Sequence, residues 1–365
     1  MLTIRKKKPQ IILLISSILI ALFILEICSR IWLNHFADAE QYGKYALYTD
    51  VKHENYQKIK HHYLNYYPNP NYRSGLRYHN SLGYRNKEFS RIKPPGIYRI
   101  VALGGSSTYD SGIKDNEKTF TAQLEKILRK RYGYKNVEVI NAGVGGYTSW
   151  ESLINLEFRV LDIDPDLVII YHGTNDVNAR LVVPDAYSAD NSGSRKQWEP
   201  PPIPIIEYSA LLRIIGRKLH LAHQVGVWSF VDAKTYLGPE GKNYDPMALL
   251  KKNPPKYFRR NLKNMIAIAK ANGVKIMFST WAHSPYFEHD YASLPFQQIG
   301  MKENNDVVRE VAISNNIPLF DFADQMPKDK KYWADGRHNN ERGALLKAEL
   351  FAKFIHDSGL IKNRN

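Results

Sequence analysis

The chain is 365 residues long, with 44% hydrophobic and 24% charged residues and a formal net charge of +15. That composition excludes a disordered chain and allows a full core, in two domains or in one large domain with insertions. A single cysteine, Cys28, excludes a disulfide framework and a cysteine-rich zinc site. No repeat period points to a solenoid, and no nucleic-acid motif accompanies the basic excess, so no nucleic-acid partner is expected.

Residues 1–10 are a basic tail carrying Arg5, Lys6, Lys7 and Lys8. Ile11–Leu25 is apolar except for Ser16 and Ser17, and the apolar character resumes after Glu26 as far as Leu33. As a helix, 11–33 is about 35 Å long, enough to span a bilayer. Glu26 and Arg30 stand four apart, acid before base, and are expected to pair on one face. The basic tail keeps the amino terminus cytoplasmic and exports the rest of the chain. Glu26 and Ile27 suit lipoprotein processing at Cys28 poorly. The expectation is an uncleaved, single-pass signal anchor in the cell membrane.

Residues 34–96 are tyrosine-rich and punctuated by Pro68, Pro70, Pro94 and Pro95, which predicts a stalk with a small hairpin-like segment at Asn80–Arg85. The main domain spans 97–360. Strands are predicted at Tyr98–Leu103, Val137–Ile140, Leu167–Tyr171, Lys275–Thr280 and Pro318–Phe320. Helices are predicted at Phe120–Tyr132, Trp150–Leu161, Tyr257–Asn272, Gly300–Asn315 and Glu341–Ser358. In Tyr257–Asn272, for example, Phe258, Leu262, Met265, Ile266 and Ala269 share one face. Strands alternating with helices of this length predict a parallel sheet covered on both faces, with function at the carboxyl ends of the strands. An insertion, 178–255, carries Pro200, Pro201, Pro202 and Pro204. An amphipathic run follows from Tyr208 to His223, with Leu211, Leu212, Ile215 and Leu219 on one side and Arg213, Arg217 and Lys218 elsewhere. A helix packed on the core is the expected reading; a lid or membrane-grazing helix is the alternative.

Four short blocks sit at predicted strand ends. The first strand runs into Gly104-Gly105-Ser106-Ser107-Thr108, whose glycines permit a tight turn that exposes a serine. The second runs into Asn141–Thr148, where Gly143, Gly145 and Gly146 allow a backbone N–H to approach a reacting centre. The third ends in Tyr171-His172-Gly173-Thr174-Asn175-Asp176, where the Asn175 amide is a neutral donor for an oxyanion or a cap for the next helix. Asp335-Gly336-Arg337-His338 precedes the last helix, a spacing that lets the carboxylate reach Nδ1 of the imidazole.

Taken together and in this order, the blocks resemble the SGNH hydrolases, the GDSL-type esterase and lipase superfamily, over residues 97–177 and 256–360. The anchor and the Asn80–Arg85 segment are similar to membrane-tethered bacterial members. The resemblance implies a flavodoxin-like three-layer α/β/α sandwich with a five-stranded parallel sheet. It implies Ser106 as nucleophile, Asp335 and His338 as its acid and base partners, and Gly146 and Asn175 as oxyanion donors alongside the Ser106 N–H. Ser107 falls one residue past the family position. Gly105 departs from the family, which carries aspartate there. The implied function is extracytoplasmic hydrolysis of acyl (O-acetyl among them) esters through a covalent acyl-enzyme. The alternatives are O-acyl transfer to envelope glycan or lipid hydroxyls, and a non-catalytic binding or assembly protein on the same fold. The expected partners are an acylated glycan or lipid substrate and the membrane. His61, His62, His220, His223 and His283 form no convincing ligand set, and nucleotide-binding fingerprints are missing, so no metal or cofactor is expected. Trp198, Trp228, Trp281, Tyr286 and Phe287 lie in segments expected to overhang the site or to serve as packing.

Overall fold

The computed structural model describes residues 8–47, 57–59, 61, 64, 66–194, 205–221, 234–238 and 240–361. Arg5, Lys6, Lys7, His62, Trp198, the prolines at 200–204, His223 and Trp228 lie outside them. The chain forms two compact units, one of residues 1–59, 72–74 and 197–229 and another of residues 60–71, 75–196 and 230–365. The insertion is thus divided between them.

In the first unit, Lys8–His35 is one continuous helix, long and apolar enough to cross a membrane, with its apolar side chains from Ile11 to Leu25 exposed. Glu26 and Arg30 pair along it at 2.7 Å. A second helix, Ala39–Tyr45, begins at a reciprocal cap between Asp38 and Gln41. The amphipathic run of the insertion is also a helix, Ala210–Lys218, but its orientation reverses the expected one. Arg213 and Arg217 are buried, while Leu212, Ile215 and Leu219 are exposed. The reason is local. Arg217 pairs with the buried Glu207 at 2.7 Å and donates to the carbonyls of Lys44 and Ala46, and Arg213 donates to the carbonyls of Tyr45 and Glu207. Guanidinium groups with several fixed acceptors are accommodated inside at little cost. Ala210 joins Leu33 and Tyr45 in a small core, with Trp32, Ala37 and Ile214 against it.

The second unit is built on a sheet of five parallel strands: β1 Tyr98–Gly104, β2 Val137–Asn141, β3 Leu167–Tyr171, β4 Lys275–Ser279 and β5 Leu319–Phe320, in the order β2-β1-β3-β4-β5. Ile100 of β1 is aligned with both Val139 and Leu167, and Ile169 of β3 with Met277. Successive side chains enter opposite layers, as the period of a strand requires. Ile100, Ala102, Val139 and Ile169 pack with Phe120, Leu124 and Phe351 from the helices Phe120–Lys130 and Glu341–Asp357. Val101, Leu103, Val168 and Phe278 pack with Leu262, Met265 and Val308 from the helices Lys256–Ala271 and Pro295–Ser314. This is the three-layer α/β/α arrangement with the flavodoxin-like strand order.

Two predicted helices differ in detail. The one read from Trp150 is α-helical over Ser149–Asn155, widens to a π turn at Leu156–Val160 and closes in a 3-10 turn at Leu161–Ile163. The one read from Gly300 starts at Pro295. Gly300 is not a boundary but a contact: a Cβ there would lie 2.5 Å from Cγ1 of Val177. Asn80–Arg85 is a set of turns and not a hairpin. The Asn80 side chain accepts from the amides of Leu82 and Tyr84 at 3.1 and 2.9 Å, and Gly83 takes a φ of +75°. Amides satisfied this way are not available to a strand partner.

Candidate active site

Strand β1 ends at Gly104, and a short helical turn, Ser106–Tyr109, starts two residues later. Two glycines make that turn possible. A Cβ on Gly104 would fall 2.3 Å from the Tyr171 carbonyl, and one on Gly105 would fall 2.6 Å from Nδ2 of Asn175 and 3.1 Å from the Tyr147 carbonyl. The departure at Gly105 is therefore matched to its surroundings, because the Asn175 amide lies where a side chain would begin.

The Ser106 hydroxyl lies 2.8 Å from Nε2 of His338, and Nδ1 of the same ring lies 2.8 Å from Oδ2 of Asp335. The network assigns the proton to Nδ1, which donates to the carboxylate and leaves Nε2 to accept from the serine. Oδ1 of Asp335 also accepts from the backbone N–H groups of Arg337 and His338, at 2.7 and 2.8 Å. Burial pushes the Asp335 carboxyl upward, but the hydrogen bond and charge of His338, with the two backbone donors, outweigh it and hold the group at about 2. The loop is closed by a bridge between Trp333 and Asn339 and by the Ala334 N–H donating to the His338 carbonyl at 2.8 Å.

Ser107 stands apart from this arrangement. Its hydroxyl donates to the Arg337 carbonyl at 3.0 Å and accepts from Nε1 of Trp281 at 3.2 Å, and the side chain is buried. Trp281 lies under the turn, also buried, and does not overhang the site; Tyr286 is exposed, and Phe287 packs against the core.

The second and third blocks meet beside Ser106. The Asn175 amide donates to the Tyr147 carbonyl at 2.9 Å. Gly146, at a φ of +87°, and Asn175 both line a cavity of about 340 Å³. Thr148, Asn178, Ser194, Thr235 and Arg337 supply polar wall, and Ala179, Leu181, Leu237, Tyr236 and Tyr291 the rest. The two tyrosines, joined by a 2.8 Å hydrogen bond, are the aromatic groups at this cavity. Neither stands out in the sequence, and Tyr236 belongs to the irregular insertion.

Several supporting groups carry no local signal. The Tyr66 hydroxyl donates to the Gly145 carbonyl, and the Tyr147 hydroxyl to the Tyr66 carbonyl, each at 2.6 Å, so a distant segment clasps the glycine loop. Arg85, buried, donates to the carbonyls of Tyr109, Asp110 and Ile113 just after the serine turn. Lys347 from the last helix reaches the Ser107 carbonyl at 2.7 Å and stands 4.0 Å from Asp110, both side chains buried. Burial pushes the lysine down to about 8 and the aspartic acid upward, each opposed by the other's charge. Among the described residues, no group of three or more His, Cys, Asp or Glu side chains gathers in a metal-holding cluster.

The sheet, its helical layers and the position of these blocks define an α/β hydrolase-like protein. The chain belongs to the GDSL-like lipase/acylhydrolase family, a family of ester hydrolases, whose model matches residues 102–346. It is 33% identical over 81 residues to the uncharacterized lipoprotein YqeF of Bacillus subtilis (strain 168), a match covering 22% of this chain and 33% of that protein. The chain thus spans about a third of the length of that curated relative. Among solved structures it is similar to the lipase/acylhydrolase from Enterococcus faecalis, with a TM-score of 0.45, 20% identity, and coverage of 74% of this chain and 100% of that one. A GDSL-like lipase from Bacteroides thetaiotaomicron VPI-5482 gives a TM-score of 0.38 and 17% identity, covering 71% and 88%.

Proposed function

We propose that this chain is a membrane-anchored serine esterase that removes short acyl groups, acetyl among them, from hydroxylated molecules outside the cytoplasm. The observation that carries the reading is the hydrogen-bonded line from Asp335 through His338 to Ser106, with Asn175 beside it. His338 takes the Ser106 proton at Nε2 as Oγ attacks the ester carbonyl, then returns it to the departing alcohol. Asp335, held ionised, stabilises the imidazolium and is not itself protonated. The Ser106 N–H, the Gly146 N–H and the Asn175 amide hold the oxyanion. Water then resolves the acyl-enzyme by the same base. The cavity beside Asn175, about 340 Å³ and walled in part by Tyr236 and Tyr291, has room for a short acyl group on a glycan-like alcohol rather than for a long chain. The helix Lys8–His35 is the anchor, and the basic residues before it leave the second unit outside the cytoplasm.

The test uses the full chain in phospholipid vesicles beside its Ser106→Ala variant. Fluorophosphonate labelling and hydrolysis of nitrophenyl acetate are expected in the first and lost together in the second, with nitrophenyl palmitate a poorer substrate. Labelling with no turnover points to transfer onto a hydroxyl. A folded protein that is neither labelled nor active removes the esterase reading.

A further inference from the structure

The helix Ala210–Lys218 presents a face that water does not favour. Its charged side chains at Arg213 and Arg217 are turned inward, only 7% and 4% exposed, and are hydrogen-bonded there. Its apolar side chains Leu212, Ile215 and Leu219 are turned outward, Ile206 is exposed as well, and Ile205 and Leu221, beyond its two ends, are more exposed still. A solvated helix has the opposite polarity, and a contiguous exposed apolar patch marks an interaction surface.

The position of this helix identifies what covers it. The Glu26 carboxylate, on the long apolar helix, caps it. The carboxylate accepts from the Ser209 hydroxyl at 2.8 Å and from the amides of Ala210 and Leu211 at 3.0 and 2.9 Å. Arg30, one turn further along, donates to the Tyr208 carbonyl at 2.8 Å. The short helix is therefore fixed against the long one at Glu26–Arg30, in the last third of its apolar stretch and toward the end where a spanning helix leaves the hydrocarbon. Phe23 and Ile27, on either side of Glu26, are themselves exposed and apolar. The outward face of Ala210–Lys218 is continuous with a surface that lipid must cover.

We propose that Ala210–Lys218 lies in the membrane interface as a second, in-plane contact, with Leu212, Ile215 and Leu219 among the acyl chains. The proposal rests on the reading of Lys8–His35 as a retained anchor. In this position the inverted polarity is what the surroundings require. The apolar face meets lipid, the guanidinium groups hydrogen-bond to Glu207 and to the carbonyls of Lys44, Tyr45 and Ala46, and the exposed Lys218 reaches the headgroups. A lipid surface fits better than a second copy of this chain, because the patch adjoins the apolar helix itself, in the last third of its length.

The experiment uses the full chain reconstituted in phosphatidylcholine–phosphatidylglycerol vesicles. Cys28, the single native cysteine, is replaced by serine, and an environment-sensitive fluorophore is attached in turn to Ile18→Cys, Ile215→Cys and Leu219→Cys. The 215 and 219 labels are expected to emit blue-shifted light, to lose most of their emission to lipids carrying a shallow doxyl group, and to lose none to aqueous iodide. The 18 label reports the anchor itself and is expected to respond to a deep doxyl group. Iodide quenching at 215 and 219 with the 18 label still in lipid overturns this proposal alone, whereas iodide quenching at 18 overturns the anchor reading with it. Labels at 215 and 219 that are shielded from both quenchers, and become open to iodide as the protein is diluted in lipid, identify a second copy as the occupant and also overturn the proposal.

Discussion

The side-chain amide of Asn175 occupies the space that a Cβ on Gly105 would need, 2.6 Å from Nδ2. One residue beyond Gly105 stands Ser106, so the backbone before the proposed nucleophile and the amide proposed to hold the oxyanion share a single contact. Glycine at 105 is the condition for Asn175 to stand where it does.

Gly105→Ala is therefore expected to displace Asn175 and lower kcat by about 10²–10³, as the loss of an oxyanion donor does. The accompanying loss of stability is about 1–3 kcal/mol, the usual scale for an added methyl in a packed site. Asn175→Ala should cost a similar factor, and the double variant little more than either single one. Steady-state kinetics on the four proteins check this. Effects that multiply in the double variant show that the two residues act separately.

Ser106 and Ser107 are adjacent, yet only the first reaches His338. Ser106→Ala is expected to abolish covalent labelling. Ser107→Ala should keep it, at a melting temperature lowered by the lost bonds to Trp281 and to the Arg337 carbonyl, a cost of about 1–3 kcal/mol. Mass spectrometry of the labelled peptide distinguishes the two.

Asp335 should remain charged in acid. Its folded value of about 2 lies below the ordinary carboxyl value of 3.8. Its contribution to stability is thus fully present above about 4 and lost as pH falls toward 2. Asp335→Asn is expected to leave the fold intact at neutral pH, lower kcat by about 10⁴, and remove that part of the acid dependence. Kinetics at pH 7 and denaturant melts from pH 6 to pH 2 give the measurement.

His79 gives a second acid response, at higher pH. Its Nδ1 lies 2.8 Å from the Asn69 carbonyl and its Nε2 3.0 Å from the Tyr109 hydroxyl, in a buried position. Burial first, and then the charges of Arg85, Arg159 and Arg77, push the imidazole down to about 3. The unfolded chain takes up this proton near 6.5 and the folded one does not, so stability falls as pH drops from about 6.5 toward 3. His79→Gln should flatten that portion of the pH–stability curve. An unchanged slope would remove His79 as its source.

Lys347 and Asp110 are mutually dependent. Lys347→Met is expected to cost about 3–5 kcal/mol, because it leaves the aspartate buried and unpaired. Asp110→Asn in the same chain should restore much of the loss. Differential scanning calorimetry of the two variants provides the check, and failure of the second change to rescue the first rules out the charge pairing as the cause.

Much of the fold was legible in the sequence because its signals are local. Val168, Ile169 and Ile170 are apolar in succession because both faces of β3 are buried, and a continuous run bounded by turn residues says so. The strand-end positions of Ser106 and Asn175 followed from the same alternation, and the Asp335–His338 pair was legible from its place just before the last helix. What was not legible depended on partners remote in sequence. Arg213 and Arg217 read as solvent-facing until Glu207 and the carbonyls near Tyr45 were placed beside them. Tyr66, Lys347 and the fit of Gly105 to Asn175 are contacts between blocks, and no periodicity announces them. Tyr236 reached the cavity wall from an insertion with no regular pattern.

The Glu26 cap makes the helix Lys8–His35 a structural part of the first unit. A protease cut or an engineered truncation after Glu26 would open three donors at the head of Ala210–Lys218 in a single step, without touching residues 75–196. A version of this protein shortened past Glu26 therefore differs from the native one by a lost helix cap as well as by a lost apolar helix. Exchanging Lys8–His35 for the apolar helix of another protein preserves the native insertion only if an acidic side chain is kept at the position of Glu26.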